Sequence, residues 1–125
     1  MAKKYENAPT CALDYAFRRI GGKYKGRILW YLHNRKVLRY GELRKILCDI
    51  TPKMLTQSLR ELEEDVLIHR QVYLEVPPKV EYSLTEVGKE LIPFLDHLKK
   101  WGDEQILKEK LKPQPESSGK MEMAS

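Results

Sequence analysis

The sequence predicts a mainly α-helical domain with a small β-hairpin, and two adjacent segments carry that prediction. Residues 51–66 combine a helix start signal with apolar residues at helical spacing. Residues 69–76 and 79–84 then alternate with period two on either side of Pro77-Pro78, which predicts the two strands of a hairpin. Together with a short helix before residue 51, this order is typical of a winged helix-turn-helix, an arrangement that reads DNA.

Length and composition place the chain among soluble globular proteins. Its 125 residues are 42% hydrophobic and 33% charged, which suits one compact domain. No apolar run is long enough to span a membrane and no signal-peptide region follows the N-terminus, so we expect a cytoplasmic protein. The cysteines and histidines show no metal-ligand spacing and no catalytic motif is present, so we predict no metal, no cofactor and no enzymatic activity.

Three helices are predicted before residue 51. Residues 1–9 form a polar, flexible N-terminal arm, and a first amphipathic helix follows that ends at Gly21-Gly22. A second helix runs from about Lys25 to His33, and a third, short helix covers residues 40–47, with Cys48 expected in the core. The apolar residues of the first helix are Ala12, Leu13, Ala16, Phe17 and Ile20.

The fourth predicted helix is the candidate reading helix. Thr51 is placed to cap its first turn, and Pro52 sits at the first helical position, where its missing N–H is not needed. One face is apolar and is expected to pack on the core, through Leu55, Leu59, Leu62 and Val66. The opposite face suits base edges and phosphates, because Gln pairs with adenine and Arg or Lys with guanine or phosphate; it carries Lys53, Thr56, Gln57 and Arg60.

An ordinary solvated surface is the alternative for that polar face, and the charge distribution favours DNA. Residues 1–60 contain 14 Lys and Arg against 4 Asp and Glu, whereas residues 61–125 contain 9 against 14. A basic half-chain that ends on the candidate reading helix is what a polyanion-binding protein shows. In the hairpin, Pro77, Pro78 and Lys79 form a wing tip that would touch a phosphate or the minor groove.

The C-terminal part predicts one long helix and a tail. Thr85 caps the helix and Pro93 should kink it. With the first helix, its apolar stripe is a candidate dimer surface, and packing onto its own core is the alternative. Residues 10–111 would form the domain, and residues 112–125 a disordered tail. The stripe consists of Val87, Leu91, Phe94, Leu95, Leu98 and Trp101.

Between Cys11 and Glu104 the chain resembles the HxlR-type winged helix-turn-helix family of prokaryotic transcriptional regulators. The resemblance rests on CALDYAFRRIGGKYKGRILWYL, RYGELRKI, ITPKMLTQSLRELEEDVLIHR, VPPKVEYSLTEVGKEL and WGDE. It implies a homodimer joined by the first and last helices, with two reading helices facing an inverted-repeat operator. By position, the resemblance places the wing at Pro77, Pro78 and Lys79, and the reading helix at Thr51, Lys53, Met54, Thr56, Gln57 and Arg60.

The chain departs from the family pattern at a few positions. Val66 stands where glycine is common, and because valine tolerates a left-handed backbone poorly, the turn into the wing is expected to differ. Tyr24 replaces a common tryptophan, and Cys11 is followed by Ala12 instead of proline. Some members sense oxidants through a cysteine at this position, and the helix N-terminus would favour the thiolate of Cys11. The alternative is that Cys11 packs at the dimer seam.

These observations lead to one hypothesis and one competitor. The hypothesis is a dimeric regulator that binds double-stranded operator DNA, with phosphate contacts from Lys23, Lys25, Arg39, Tyr40 and Lys79. The competitor is a winged-helix protein-interaction module without DNA affinity. The sequence does not identify the operator, the regulated genes or a small-molecule effector.

Overall fold

The structure, a computed structural model that describes residues 11–112, is mainly helical with a small antiparallel sheet. The strands are β1 Leu38–Arg39, β2 Ile68–Tyr73 and β3 Lys79–Leu84, in the order β1-β3-β2. The helices are α1 Ala12–Ile20, α2 Lys25–Arg35, α3 Tyr40–Ile46, α4 Pro52–Glu64, α5 Glu86–Lys89 and α6 Ile92–Leu111. The winged helix-turn-helix prediction is confirmed. The predicted N-terminal arm and residues 113–125 of the predicted tail lie outside the described residues.

The described chain divides into two compact units, one ending at Leu95 and the other beginning at Asp96. The first unit contains the hydrophobic core, to which α2, α3, α4 and the sheet contribute. Within residues 11–112, no helix is both long and apolar enough to cross a membrane. The most completely buried side chains are Ile28, Leu29, Leu32, Leu38, Leu43, Leu47, Leu55 and Leu62.

Capping hydrogen bonds are present at two of the predicted helix starts. The Thr51 hydroxyl accepts a hydrogen bond from the Met54 N–H at 3.1 Å, and Pro52 is the first residue of α4. The Thr85 hydroxyl likewise accepts from the Gly88 N–H at 2.9 Å at the start of α5. Each bond satisfies a backbone donor that has no partner inside its own helix. The reading helix therefore begins where the sequence predicts.

The end of α4 shows where the sequence prediction fails. The Leu67 N–H donates to the Leu62 carbonyl at 2.9 Å, and the Val66 N–H to the Glu63 carbonyl at 3.0 Å. These two bonds define a Schellman turn, and it requires the left-handed backbone that Val66 adopts at φ 61°. Val66 is 59% exposed, so its assignment to the core stripe was wrong, and Val66 itself adopts the left-handed backbone that valine tolerates poorly.

The predicted kinked C-terminal helix is instead two helices, α5 and α6. Pro93 is the second residue of α6, where its missing N–H is not needed, so the chain breaks and restarts before the proline. Leu91 and Leu95 pack against the core. The other apolar side chains of the stripe remain 40–59% exposed: Val87, Phe94, Leu98 and Trp101.

Three further details differ from the sequence prediction. Strand β1, two residues long, was not predicted, and β2 ends at Tyr73 because residues 74–78 form the loop of the hairpin. Cys48 is exposed, so its assignment to the core was wrong. The neighbouring Leu47 and Ile50 are buried instead, because the chain turns between α3 and α4 and leaves Cys48 on the outside.

Candidate nucleic-acid interface

The helix-turn-helix consists of α3, the turn at residues 47–51, and α4. The Tyr40 hydroxyl lies 3.1 Å from the Pro52 carbonyl oxygen, to which it donates, and 3.2 Å from the Thr56 hydroxyl. Because Pro52 and Thr56 are one turn apart on α4, a single phenol fixes the N-terminal end of α4 relative to α3. Tyr40, which we predicted as a phosphate contact, thus has its hydroxyl engaged within the protein.

The turn between the two helices is held to α2 through Asp49. Both terminal nitrogens of Arg27 bind the Asp49 carboxylate at 3.1 Å, and the Tyr24 hydroxyl donates to the Asp49 carbonyl at 3.2 Å. The hydrogen bonds from Arg27 lower the pKa of Asp49 to about 2, and Lys23, at 3.4 Å, contributes in the same direction. The Lys23 side chain is 66% exposed. The carboxylate therefore stays ionised and keeps the turn in place at neutral pH.

The two faces of α4 have the expected characters. Leu55, Leu59 and Leu62 are buried in the core. Among the ion pairs of residues 11–112, none includes Lys53 or Arg60, so both charges remain available to a ligand. All six candidate residues of the reading helix are exposed: Thr51, Lys53, Met54, Thr56, Gln57 and Arg60.

Lys25 requires a correction. Its ammonium lies 2.6 Å from a carboxylate oxygen of Glu61, and the residue is only 9% exposed. A buried ammonium that is already paired presents no charge to a phosphate, so Lys25 does not belong with the phosphate contacts. The other oxygen of Glu61 accepts a hydrogen bond from the Gln57 amide nitrogen at 2.7 Å. The sequence alone did not show this pairing because the residues are on different helices.

Arg70 is a candidate that the sequence analysis missed. It is exposed on β2 opposite Tyr82 of β3, and it borders a concave site of about 390 Å³ beside α4. Arg60 and Thr56 line the same site, together with the acidic Glu63, so two arginines and one glutamate border one depression at the edge of the reading helix. Arginine is well suited to bind phosphate oxygens through two hydrogen bonds. Period-two alternation from the buried Ile68 places Arg70 on the inward face, which is why the sequence pattern did not indicate it.

The charge of Lys79 in the wing is partly compensated. Its ammonium lies 3.8 Å from a Glu75 oxygen and 3.7 Å from a Glu81 oxygen, and 4.5 Å above the centre of the Tyr73 ring. The side chain is 25% exposed. Lys79 is thus less suited to bind a phosphate than Lys53, which is unpaired within the described residues, because an incoming phosphate would meet two carboxylates beside Lys79.

The tip of the wing is apolar. Pro77 and Pro78 are exposed, as the sequence predicts for a loop. Leu74 and Val76 are 96% and 100% exposed, although the alternating pattern had placed both in a strand. Exposed apolar side chains flanking prolines are the type that proteins insert into a minor groove. Leu74 and Val76 therefore join the candidate wing residues.

The remaining candidates lie outside the helix-turn-helix pair. Arg39 is exposed, and its N–H donates to a Glu42 carboxylate oxygen at 2.8 Å, which caps α3. Cys11 is exposed at the N-cap position of α1, where its side chain makes no capping hydrogen bond. Among the described residues, no group of three or more His, Cys, Asp or Glu side chains is arranged to hold a metal ion.

Comparisons with known proteins agree with this geometry. Residues 19–110 match the profile of the HxlR-like helix-turn-helix family. The HTH-type transcriptional regulator YdeP of Bacillus subtilis (strain 168) is 52% identical over 93 residues, which cover 74% of this chain and 72% of that protein.

Two solved structures are also similar. The redox regulator HypR in its oxidised form has 46% sequence identity and a TM-score of 0.72, over 75% of this chain and 96% of that chain. The HTH-type regulator ytcD has 47% sequence identity and a TM-score of 0.73, over 77% of this chain and 97% of that chain. The chain therefore belongs to the HxlR-like helix-turn-helix family of DNA-binding transcriptional regulators.

Proposed function

We propose that this protein binds an inverted-repeat operator as a homodimer and regulates transcription through that contact. The observation that carries the proposal is the exposed face of α4. It presents two cations, an amide and hydroxyl groups, while the opposite face is fixed in the core. Side chains of this type hydrogen-bond to base edges in the major groove. Because the proposed target is chromosomal DNA, we expect the protein to act in the cytoplasm.

Exposed apolar side chains on the first and last helices support dimerisation. On α1, Leu13 and Phe17 are 68% and 54% exposed. On α6, Phe94, Leu98 and Trp101 are 40–59% exposed. Each helix by itself thus exposes apolar side chains of the kind that interaction sites use, and the family resemblance implies a second copy of the chain as the partner. A two-fold axis would place two α4 helices about one turn of DNA, ~34 Å, or a multiple of it apart.

The candidate residues divide by the chemistry of their side chains. Thr51, Met54, Thr56 and Gln57 are neutral and would contact base edges. Leu74, Val76, Pro77 and Pro78 would enter the adjacent minor groove, with Lys79 beside them. The cations that remain exposed would contact phosphates: Lys23, Arg39, Lys53, Arg60 and Arg70.

Selection of bound duplexes from a random pool tests this proposal. We expect the purified protein to enrich a palindrome whose half-sites are separated by a whole number of helical turns. Lys53→Ala should weaken binding to all sequences. It should also reduce the slope of log K against log salt concentration by about one unit, because one phosphate contact is lost. Lys89→Ala is the control, because it removes the same charge from α5, outside the reading helix, where Lys89 pairs with Glu86 at 3.1 Å.

Two outcomes would contradict the proposal. One is a protein that binds no duplex even at low ionic strength, which would favour the protein-interaction module. The other is equal salt dependence for the wild type and Lys53→Ala, which would show that this face of α4 does not touch the DNA backbone.

A redox response through Cys11 is a second, separable proposal. Its thiol is exposed at the N-cap position of α1 and makes no capping hydrogen bond, and the similar protein HypR is named a redox regulator. We expect mild oxidation to change operator affinity of the wild type and of Cys48→Ser but not of Cys11→Ser. An equal response in Cys11→Ser would refute a sensing role for Cys11.

A further inference from the structure

Three side chains connect the interior of the domain to the candidate reading face. Lys25 of α2 binds Glu61 of α4 at 2.6 Å, and Glu61 accepts a hydrogen bond from the Gln57 amide nitrogen at 2.7 Å. Resting on the DNA-binding function proposed above, we propose that Glu61 and Lys25 are positioning residues. They hold the Gln57 amide in one orientation, and that orientation selects adenine.

The orientation follows from the chemistry of the two groups. An ionised carboxylate only accepts hydrogen bonds, so Gln57 must turn its NH₂ group, and not its carbonyl oxygen, toward Glu61. A free glutamine amide has no such preference, because rotation by 180° exchanges donor and acceptor at little cost. The contact with Glu61 removes that ambiguity before any DNA is bound.

Lys25 makes this contact more than an exposed pair along one helix. The Lys25 side chain is 11% exposed and the Glu61 side chain 28%, and the two belong to different helices. If Glu61 rotated away, it would leave the Lys25 ammonium buried without its carboxylate partner, which is strongly unfavourable. Glu61 is thus fixed from the interior, and it transmits that constraint to an exposed amide.

The hydrogen-bonding groups of Gln57 that Glu61 does not engage define its base specificity. One N–H is engaged by Glu61, so the carbonyl oxygen and the second N–H remain for a base. Adenine presents a matching acceptor at N7 and donor at N6 in the major groove, and glutamine pairs with both. Because the amide is already oriented, binding does not lose the freedom of its terminal torsion.

The test compares base preferences from the random-pool selection for four proteins. Glu61→Gln replaces the carboxylate by an amide that can donate or accept, so Gln57 loses its fixed orientation. Glu64→Gln is the control, because Glu64 is exposed on the same helix and the charge change is the same. Lys25→Met keeps the carboxylate but removes its anchor.

We expect the wild type and Glu64→Gln to prefer adenine about tenfold or more at one position in each half-site. In Glu61→Gln and Lys25→Met that preference should fall by at least about threefold, while preferences at the other positions are retained. If Glu61 and Lys25 had a purely structural role, the two variants would bind DNA more weakly and would lose base preference at all positions alike. If Glu61→Gln does not fold, the double variant Lys25→Met/Glu61→Gln removes both charges and provides the same readout.

The results separate this inference from the proposed function. A wild type that enriches a palindrome, together with an unchanged preference at every position in Glu61→Gln and Lys25→Met, would overturn the positioning role and leave DNA binding intact. A preference for a base other than adenine at the position that responds to Glu61→Gln would also overturn it. If the wild type enriches no sequence, both proposals fail.

Discussion

Replacing Val66 tests whether the turn that leads from the reading helix to the wing is left-handed. Val66 has φ 61°, and its N–H closes the Schellman turn on Glu63. A left-handed backbone costs an L-residue about 1–2 kcal/mol relative to its ordinary conformations. Glycine avoids that cost but loses about 0.5–1 kcal/mol more conformational entropy on folding than alanine.

The magnitude follows from comparing two variants at the same position. Val66→Gly and Val66→Ala both lose the outer part of the valine side chain, which is 59% exposed, so loss of packing largely cancels between them. What remains is the difference in backbone free energy. We expect Val66→Gly to be more stable than Val66→Ala by roughly 0.5–1 kcal/mol.

A matched pair within the helix gives the opposite sign. Glu63 is an exposed residue of α4, three positions before Val66 and in helical conformation, so Glu63→Gly should be less stable than Glu63→Ala by about 0.5–1 kcal/mol. Urea denaturation of all four variants, at one protein concentration because dimerisation would contribute, provides the free energies of unfolding. The same order of glycine and alanine at both positions would refute the left-handed turn.

Three further predictions concern the scaffold of the site. Thr51→Ala should lower the free energy of unfolding by about 1 kcal/mol in urea denaturation, and Thr51→Ser by much less, because the hydroxyl caps α4; equal values for the two would contradict this. Gly88→Ala should lower the melting temperature, since an added Cβ would lie 2.1 Å from the Leu67 carbonyl oxygen, whereas Gly102→Ala should not, since its added Cβ would meet nothing within 4 Å beyond its own stretch of helix; a Gly88→Ala protein as stable as the wild type would show that the backbone adjusts freely. Asp49→Asn should lower the melting temperature at pH 7. Since the folded pKa of Asp49 is about 2, below the ordinary 3.8, its stabilisation is complete above pH 4 and disappears as the pH falls toward 2, so the two melting curves should converge there; a difference that does not depend on pH would exclude the carboxylate as its cause.

The parts of the structure that the sequence predicted correctly depend on local chemistry. The cap at Thr51, the proline after it and the spacing of Leu55, Leu59 and Leu62 act within one helix, so a linear pattern contains the information. The hairpin followed from alternation and a proline pair in the same way. Because the apolar face of α4 packs in the core, the opposite face of the helix must point outward.

The errors concern features that depend on contacts between elements. Lys25 begins a helix and looks exposed in sequence, but Glu61 of another helix pairs with it. Val66 fits the apolar spacing of α4, but the helix ends two residues earlier, at Glu64, and the Val66 side chain is exposed. Cys48 looks like a core residue because its neighbours Leu47 and Ile50 are apolar. In each case a tertiary contact or a chain reversal decides the side chain's environment, and neither follows from local periodicity.

The most direct test of the account is a titration of the selected duplex, followed by fluorescence anisotropy, with the wild type and Gln57→Ala. We expect two chains per duplex. We also expect that a single base change at the position contacted by Gln57 costs the wild type about 1–3 kcal/mol in either half-site and costs Gln57→Ala almost nothing. One chain per duplex, or a Gln57→Ala protein that discriminates as well as the wild type, would contradict the claim that two copies of α4 read the DNA.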